Sequence, residues 1–480
     1  MLRKHKELLI IIGFFSLIRL WVSASFGLGV DEAHYVLYAK NLDWSYVDHP
    51  PLVGWIHALF YYTLGPGEFS ARLPAVLIFA LVSFFVYRFI LSFSDSKKIA
   101  LIGVLGINGS FMMNALSIML LPESILFALI LPLIYFTRRI ESQGRFRDFI
   151  LLGIVLGVAG LTKYTAILFV PAILIYLIMK KQYHLIFSPY MIFAGFAAIL
   201  MVTPVIYWNI EHDFISFRYQ TGHLLGNSLI NPVKPFESIA AQFGAYSPFL
   251  FLIAFYGFFK GFRHSDDNVR LAMLFGGIIY AFFLYSSLYE TSLPHWTGIF
   301  YLLFIPIGIF YLMDHPTSFK LNFLKVSLVF SLLMTLFLYA ELAGKFFTFP
   351  DYKSPFQDIY GHEAIAKEAD ELFRANSHPR KALAVTNWTM GSRIMYYTLP
   401  YKIPVFVIDE RIDQFDLWQN TSSAGYDLLF LNTHFTNLDI GKSVVCDKVQ
   451  YVKTVDISLN GGKVDTVDFV WCMNYNGIKK

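Results

Sequence analysis

A handful of ionisable side chains stand at the ends of long apolar runs: Asp31-Glu32, Asp48-His49, Glu123, Lys163 and His295, with Arg72 opening another such run. A charge at a membrane boundary is costly and persists where it is solvated, paired or used. Carboxylates of this kind suit general-base work on a hydroxyl nucleophile. A lone ammonium such as Lys163 suits a phosphate, for which lysine acts as a compact point charge. Each also has a plainer reading. Asp31 can cap a helix with Glu32 favoured in its first turn, Lys163 can snorkel to lipid headgroups, and His212, His223 and His295 can be hydrogen-bonded structural residues. The double proline Pro50-Pro51 fixes an extended turn that can hold Asp48 and His49 over one cavity.

The elements that position these residues follow from composition. Of 480 residues, 56% are apolar, 18% aromatic and 15% charged, far from a soluble domain with about 25% charged residues. Apolar windows long enough for a bilayer recur to about residue 340, eleven in all: 8–28, 73–93, 99–119, 123–137, 149–162, 165–179, 185–207, 238–259, 271–288, 296–312 and 321–340. Lys and Arg number 15 on the loops that share a side with the N-terminus and 5 on the opposite set. This bias predicts a cytoplasmic N-terminus and, with an odd number of spans, an extracytoplasmic segment after residue 340. The first outer loop, 29–72, reads as two amphipathic helices at 31–41 and 51–64. Arg19, inside the first span, is expected to pair with a carboxylate or face a cavity.

Beyond residue 340 the pattern changes to one helix at 363–374 and short strands at 382–386, 405–408, 427–431, 449–457 and 464–471. The fold class expected is therefore mainly α, a polytopic membrane protein of domain 1–340 with a small C-terminal α/β extracytoplasmic domain, 341–480. The two cysteines, Cys446 and Cys472, exclude a disulfide scaffold and leave open one bridge or two buried thiols. A net charge of +4 without a basic stripe speaks against nucleic acid. No glycine-rich phosphate loop and no metal signature such as HExxH is present. No cofactor is called for, and a divalent metal stays open.

Several motifs, in order, resemble the bacterial polyprenyl-phosphate-sugar glycosyltransferases of the GT-C class, related to protein O-mannosyltransferases and lipid A aminoarabinose transferases. They are Asp31-Glu-Ala-His-Tyr35, Tyr46-Val-Asp-His-Pro-Pro-Leu52, Arg72-Leu-Pro74, Met119-Leu-Leu-Pro-Glu-Ser124, Leu161-Thr-Lys-Tyr-Thr165, Pro204-Val-Ile-Tyr-Trp-Asn209 and Leu293-Pro-His-Trp296. Ser392-Arg-Ile-Met-Tyr-Tyr397 and residues 411–418 extend the resemblance into the C-terminal segment. Relatives commonly carry Thr-Pro-Asp where this chain has Leu121-Pro122-Glu123, and Glu-Lys-Pro where it has Asp48-His49-Pro50.

The resemblance implies transfer of a sugar from a polyprenyl-phosphate donor to a cell-envelope acceptor, a glycolipid of the lipid A kind or a protein, on the outer face of a bacterial inner membrane. It implies Asp31 as catalytic base with Glu32 as second choice, and Lys163, His49 and Arg72 as ligands of the donor phosphate. Asp48, Glu123, Tyr35 and His295 would position substrate. A transporter or flippase of lipid-linked oligosaccharide, or a polymerase, is the competing reading. Transporters tend to carry repeats and broken midplane helices, whereas the charges here gather at one interface.

Overall fold

The computed structural model describes residues 5–225, 229–409, 411–419, 421–436 and 439–479, with the side chains of 223–225 outside that set. Arg3, Lys4 and the His223 side chain thus lie outside the described residues. The chain forms two compact units. The first comprises Met1–Ser23, Asp43–Ile56 and Arg72–Tyr339; the second comprises Ala24–Leu42, His57–Ala71 and Ala340–Lys480.

The first unit is helical. Among the described residues five helices are long and apolar enough to cross a membrane: Glu68–Ile90, Pro189–Glu211, Asp267–Ser286, Pro294–Asp314 and Ser318–Gly344. Two further stretches are bent pairs, Lys97–Gly109 with Phe111–Ile118 at 74° and Lys234–Ala245 with Pro248–Gly261 at 113°, which raises the number to seven at most. The windows at 99–119 and 238–259 are therefore broken rather than straight. Other windows fall on helices that carry more charge or are shorter, such as Lys6–Ser23, Pro122–Gln143 and Phe146–Gly160. Hydropathy counts apolar runs, whereas neighbouring helices shelter polar groups and shortened spans.

Glycine spacing sets two of the closest helix contacts. A Cβ on Gly153 would lie 2.2 Å from the Ala194 carbonyl oxygen, and one on Gly157 2.8 Å from that of Ala198. The Gly-x-x-x-Gly face of Phe146–Gly160 thereby lets Pro189–Glu211 approach to backbone distance. The far side of that second helix exposes Ile192, Phe196, Ile199 and Leu200, as a lipid-facing surface requires. At the opposite extreme, Gly298–Asp314 is buried almost throughout.

Arg19 departs from expectation. It is 1% exposed, and its Nη2 donates to Asn108 Oδ1 at 2.8 Å and Asn114 Oδ1 at 2.7 Å, with Tyr339 donating to the same Asn114 oxygen at 2.7 Å. Neutral carboxamides, not a carboxylate, satisfy its donors.

The second unit is built on a five-stranded sheet: β1 (Lys381–Val385), β2 (Val405–Val407), β3 (Asp427–Thr433), β4 (Lys448–Leu459) and β5 (Gly462–Met473), in the order β2-β1-β3-β5-β4. β1 runs parallel to β2 and β3, and the β4–β5 hairpin joins antiparallel to β3. One face packs on helices His362–Ala375 and Trp388–Thr398 and on Val30–Lys40, whose Ala33, Val36 and Leu37 belong to the same apolar core. Val30–Lys40 is buried from Glu32 to Ala39, so it is a core helix rather than one lying amphipathically at a surface. Cys446 and Cys472 form a disulfide across a sequence separation of 26, with Cα atoms 5.5 Å apart.

Candidate active site

In the first unit three of the expected residues come together. Glu123 occupies the first turn of helix Pro122–Gln143, and Lys163 precedes the short helical turn Tyr164–Leu168. Lys163 Nζ and Glu123 Oε1 form an ion pair whose side chains are 11% and 7% exposed. His295 Nε2 stands 3.8 Å from the same carboxylate oxygen, and His49 is close enough to bear on it electrostatically. The lysine ammonium also sits 5.5 Å from the centroid of Trp296 and 5.7 Å from that of Phe283, within cation–π range. Two aromatic rings and a carboxylate thus surround one ammonium, and His295 stands beside that carboxylate.

The segment before these residues is tied down locally. The Tyr46 N–H donates to the His49 carbonyl at 3.2 Å, which closes the turn that the double proline predicts. The Asp48 carbonyl accepts from Gln220 Nε2 at 2.6 Å, and Asp43 Oδ2 accepts from Trp208 Nε1 at 2.9 Å. Asp43, Trp208, Phe283 and Trp296 contribute here without having been singled out as site residues. Ring neighbours of a cation leave no spacing signal in a chain this aromatic, although Trp296 stands next to His295 in the Pro-His-Trp motif.

Arg72 is fully buried, and its Nη1 donates to the Ser23 carbonyl at 2.7 Å. Ser23 ends helix Lys6–Ser23, so the guanidinium meets an orphan carbonyl at the negative end of a helix dipole. That geometry gives the expected phosphate role no support.

Asp31, Glu32 and Tyr35 belong to the second unit. The N-cap of Val30–Lys40 is Gly29, not Asp31, and Glu32 Oε2 reaches back to accept the Gly29 N–H at 3.1 Å. Glu32 is 1% exposed and serves as that cap, which argues against it as a base. Asp31 is half-buried in the first turn. Tyr35 is buried edge-on against His34 and Tyr38. Among the described residues no group of three or more His, Cys, Asp or Glu side chains is placed to hold a metal ion.

The chain has the fold of ArnT, a GT-C architecture, and part of its sequence is similar to the protein O-mannosyltransferases. ArnT from Cupriavidus metallidurans bound to undecaprenyl phosphate superposes with a TM-score of 0.66 at 13% identity, covering 97% of this chain and 98% of that one. The apo state of the same protein gives 0.63 at 13% identity, covering 96% and 97%. In sequence, residues 48–208 match the dolichyl-phosphate-mannose-protein mannosyltransferase family, a segment that contains Asp48, His49, Arg72, Glu123 and Lys163. The lipid A galacturonosyltransferase RgtD of Rhizobium johnstonii is 27% identical over 259 residues, 50% of this chain. The match spans about half the length of that relative, 51%.

Proposed function

We propose that this protein is a membrane glycosyltransferase that moves a sugar from a polyprenyl-phosphate donor to an envelope glycolipid of the lipid A kind. The observation that carries the proposal is the enclosed Lys163–Glu123 pair with its aromatic walls, inside the segment matched to the mannosyltransferase family. ArnT, whose fold this chain shares, is a protein solved with undecaprenyl phosphate, and RgtD is a lipid A galacturonosyltransferase. Both support a lipid-linked donor and a glycolipid acceptor. The loop-charge bias and the disulfide, a bond that persists in an oxidising compartment, support placing the reaction on the extracytoplasmic side.

In the reaction proposed, the acceptor hydroxyl attacks the anomeric carbon while the bond from that carbon to the phosphate oxygen breaks, with inversion. The electron pair leaves with the polyprenyl phosphate, and the hydroxyl proton passes to a carboxylate, for which Asp31 is the candidate. Lys163 supplies the positive charge that the departing phosphate develops against. Glu123 and His295 hold that ammonium in place, and Asp48 and His49 orient the head group. The pair's side chains are 11% and 7% exposed, so each interaction there counts for more than at a surface.

The test is transfer of labelled sugar from purified polyprenyl-phosphate donors in detergent. Asp31→Asn should abolish turnover while expression and donor binding persist. Wild-type turnover in that variant removes Asp31 as the base, and failure of every such donor with the native chain removes the proposed reaction.

A further inference from the structure

The second unit contains a polar cavity of about 310 Å³ that the transfer chemistry does not use. It opens at the carboxyl ends of β1 and β3. The chain leaves β1 towards β2 on one side and leaves β3 towards β4 and β5 on the other. Neighbouring parallel strands whose onward connections diverge leave a crevice between them, the place where open α/β sheets bind ligands. Asn387, Thr389 and Arg393 reach it from beyond β1, Thr433 and Phe435 from the end of β3, and Asp465 from β5.

These side chains are held on one side and open on the other. Arg393 donates from Nε to the Thr389 carbonyl at 3.1 Å and from Nη1 to Asp358 Oδ1 at 3.0 Å and to the Asp358 carbonyl at 3.4 Å. Asn387 Oδ1 accepts from the Met390 N–H at 2.8 Å and the Thr389 hydroxyl at 2.7 Å. Asp465 Oδ1 accepts the N–H groups of His434 at 3.2 Å and Thr466 at 2.8 Å. Among the described residues Arg393 Nη2, Asn387 Nδ2 and Asp465 Oδ2 have no such partner. His362 also lines the cavity and is 4% exposed. Its Nε2 meets the Gln357 carbonyl at 3.3 Å, and its buried Nδ1 has no hydrogen-bond partner. Burial pushes this imidazole down to about 3, so it presents a neutral acceptor.

We infer that this cavity is a saccharide-binding site for one neutral, hydroxyl-rich sugar residue. Donors and acceptors alternate around it, which matches hydroxyl groups because each can give and take a hydrogen bond. An anion would offer acceptors only and would face Asp358 and Asp465 beside the single guanidinium. Phe435, 53% exposed at the rim, offers a flat apolar face to the C–H side of a sugar ring. The volume lies at the small end of ligand pockets, about 300–1,000 Å³, enough for a single ring. If the sugar is taken as part of the acceptor, that assignment rests on the transfer reaction proposed above; the binding site itself does not.

Saturation-transfer difference NMR on the full-length protein in lipid nanodiscs tests this, with the methyl α-pyranosides of glucose, galactose and mannose at millimolar concentration as probes. The native protein should give saturation transfer to at least one of them. Phe435→Ala, an exposed change that spares the fold, and Arg393→Gln should each cut the signal about tenfold or more, as loss of a ring face or of a charged hydrogen bond implies. The double variant Lys163→Met with Glu123→Gln should lose transfer and keep glycoside binding, which separates failure of this site from failure of the reaction. No signal with any of the three sugars in folded native protein overturns the proposal. So does a signal indifferent to both cavity substitutions, or binding of glucuronate in preference to all neutral probes.

Discussion

Removing the Lys163 charge while leaving Glu123 in place is the sharpest perturbation of the site. With side chains 11% and 7% exposed, this is a buried pair, and stranding one member of such a pair costs about 3–5 kcal/mol. Lys163→Met should therefore destabilise by that order. Glu123→Gln should cost less, because the ammonium keeps Trp296 and Phe283 at 5.5 and 5.7 Å, contacts that contribute about 0.5–2 kcal/mol. The double substitution removes both charges and should recover most of the loss, as replacing a whole buried pair often does. The coupling should then exceed about 2 kcal/mol, against 0–1 kcal/mol for an exposed pair. Thermal unfolding in detergent, at about 2 °C per kcal/mol for a chain of this size, should rank Lys163→Met lowest and the double variant close to native. Activity should part company with stability: the double variant should fall about 100-fold or more in turnover, because the departing phosphate has lost its cation. Additive destabilisation, or native turnover in the double variant, would refute the reasoning.

Arg72→Met should lower the unfolding temperature, since it uncaps helix Lys6–Ser23, and should leave the apparent KM for the lipid donor unchanged; a raised KM restores a phosphate role. Replacing Cys446 and Cys472 together by Ser should cost about 3 kcal/mol from the loop of 26 residues, visible as earlier proteolysis of the C-terminal segment. Burial raises the Asp413 carboxyl to about 6, with Asp409 and Asp416 adding to the shift and His34 opposing it. The folded form therefore holds a proton that the unfolded chain gives up near 3.8, and stability should fall as pH rises from about 4 to 6. Discounted for partial exposure, the loss is on the order of 1–2 kcal/mol. Asp413→Asn keeps an acceptor for the Phe415 N–H and should flatten that pH dependence; equal slopes in both proteins would show that Asp413 is not its source.

Strands in the C-terminal segment are legible from short runs of apolar and β-branched residues, continuous where the strand is buried along its length, as at 427–431, and interspersed with polar residues where it is largely exposed, as at 449–457. The expected 427–431 lies within Asp427–Thr433, and 449–457 within Lys448–Leu459. Helix Trp388–Thr398 was seen only as a resemblance in its Ser392-to-Tyr397 stretch. It packs in the core with Met390, Ile394, Tyr396 and Tyr397 buried, so aromatic and polar residues mingle and its helical period is faint. Within the membrane-spanning part the difficulty is different. Composition marks what is apolar, but a 74° break between Gly109 and Phe111 changes no residue's hydropathy.

The two arginines near the start of the chain show why charge alone did not identify the site. From sequence, Arg19 and Arg72 carry the same signal as Lys163, a cation at or inside a span. What separates them is whether the cation is sealed inside the protein. Arg72 spends a donor on the backbone carbonyl of Ser23, and Arg19 on Asn108 and Asn114; both are essentially unexposed, so a lipid phosphate could reach neither without displacing the helix they hold. Lys163 is different in kind. Its partners are a carboxylate and two ring faces, it keeps a tenth of its side chain accessible, and an ammonium has three donors. A phosphate oxygen can therefore join Glu123 on the same nitrogen instead of replacing it. In the proposed reaction, a carboxylate beside Lys163 would lower the attraction for the donor in the ground state and fix the ammonium where charge grows as the phosphate departs, an arrangement that favours kcat over tight donor binding.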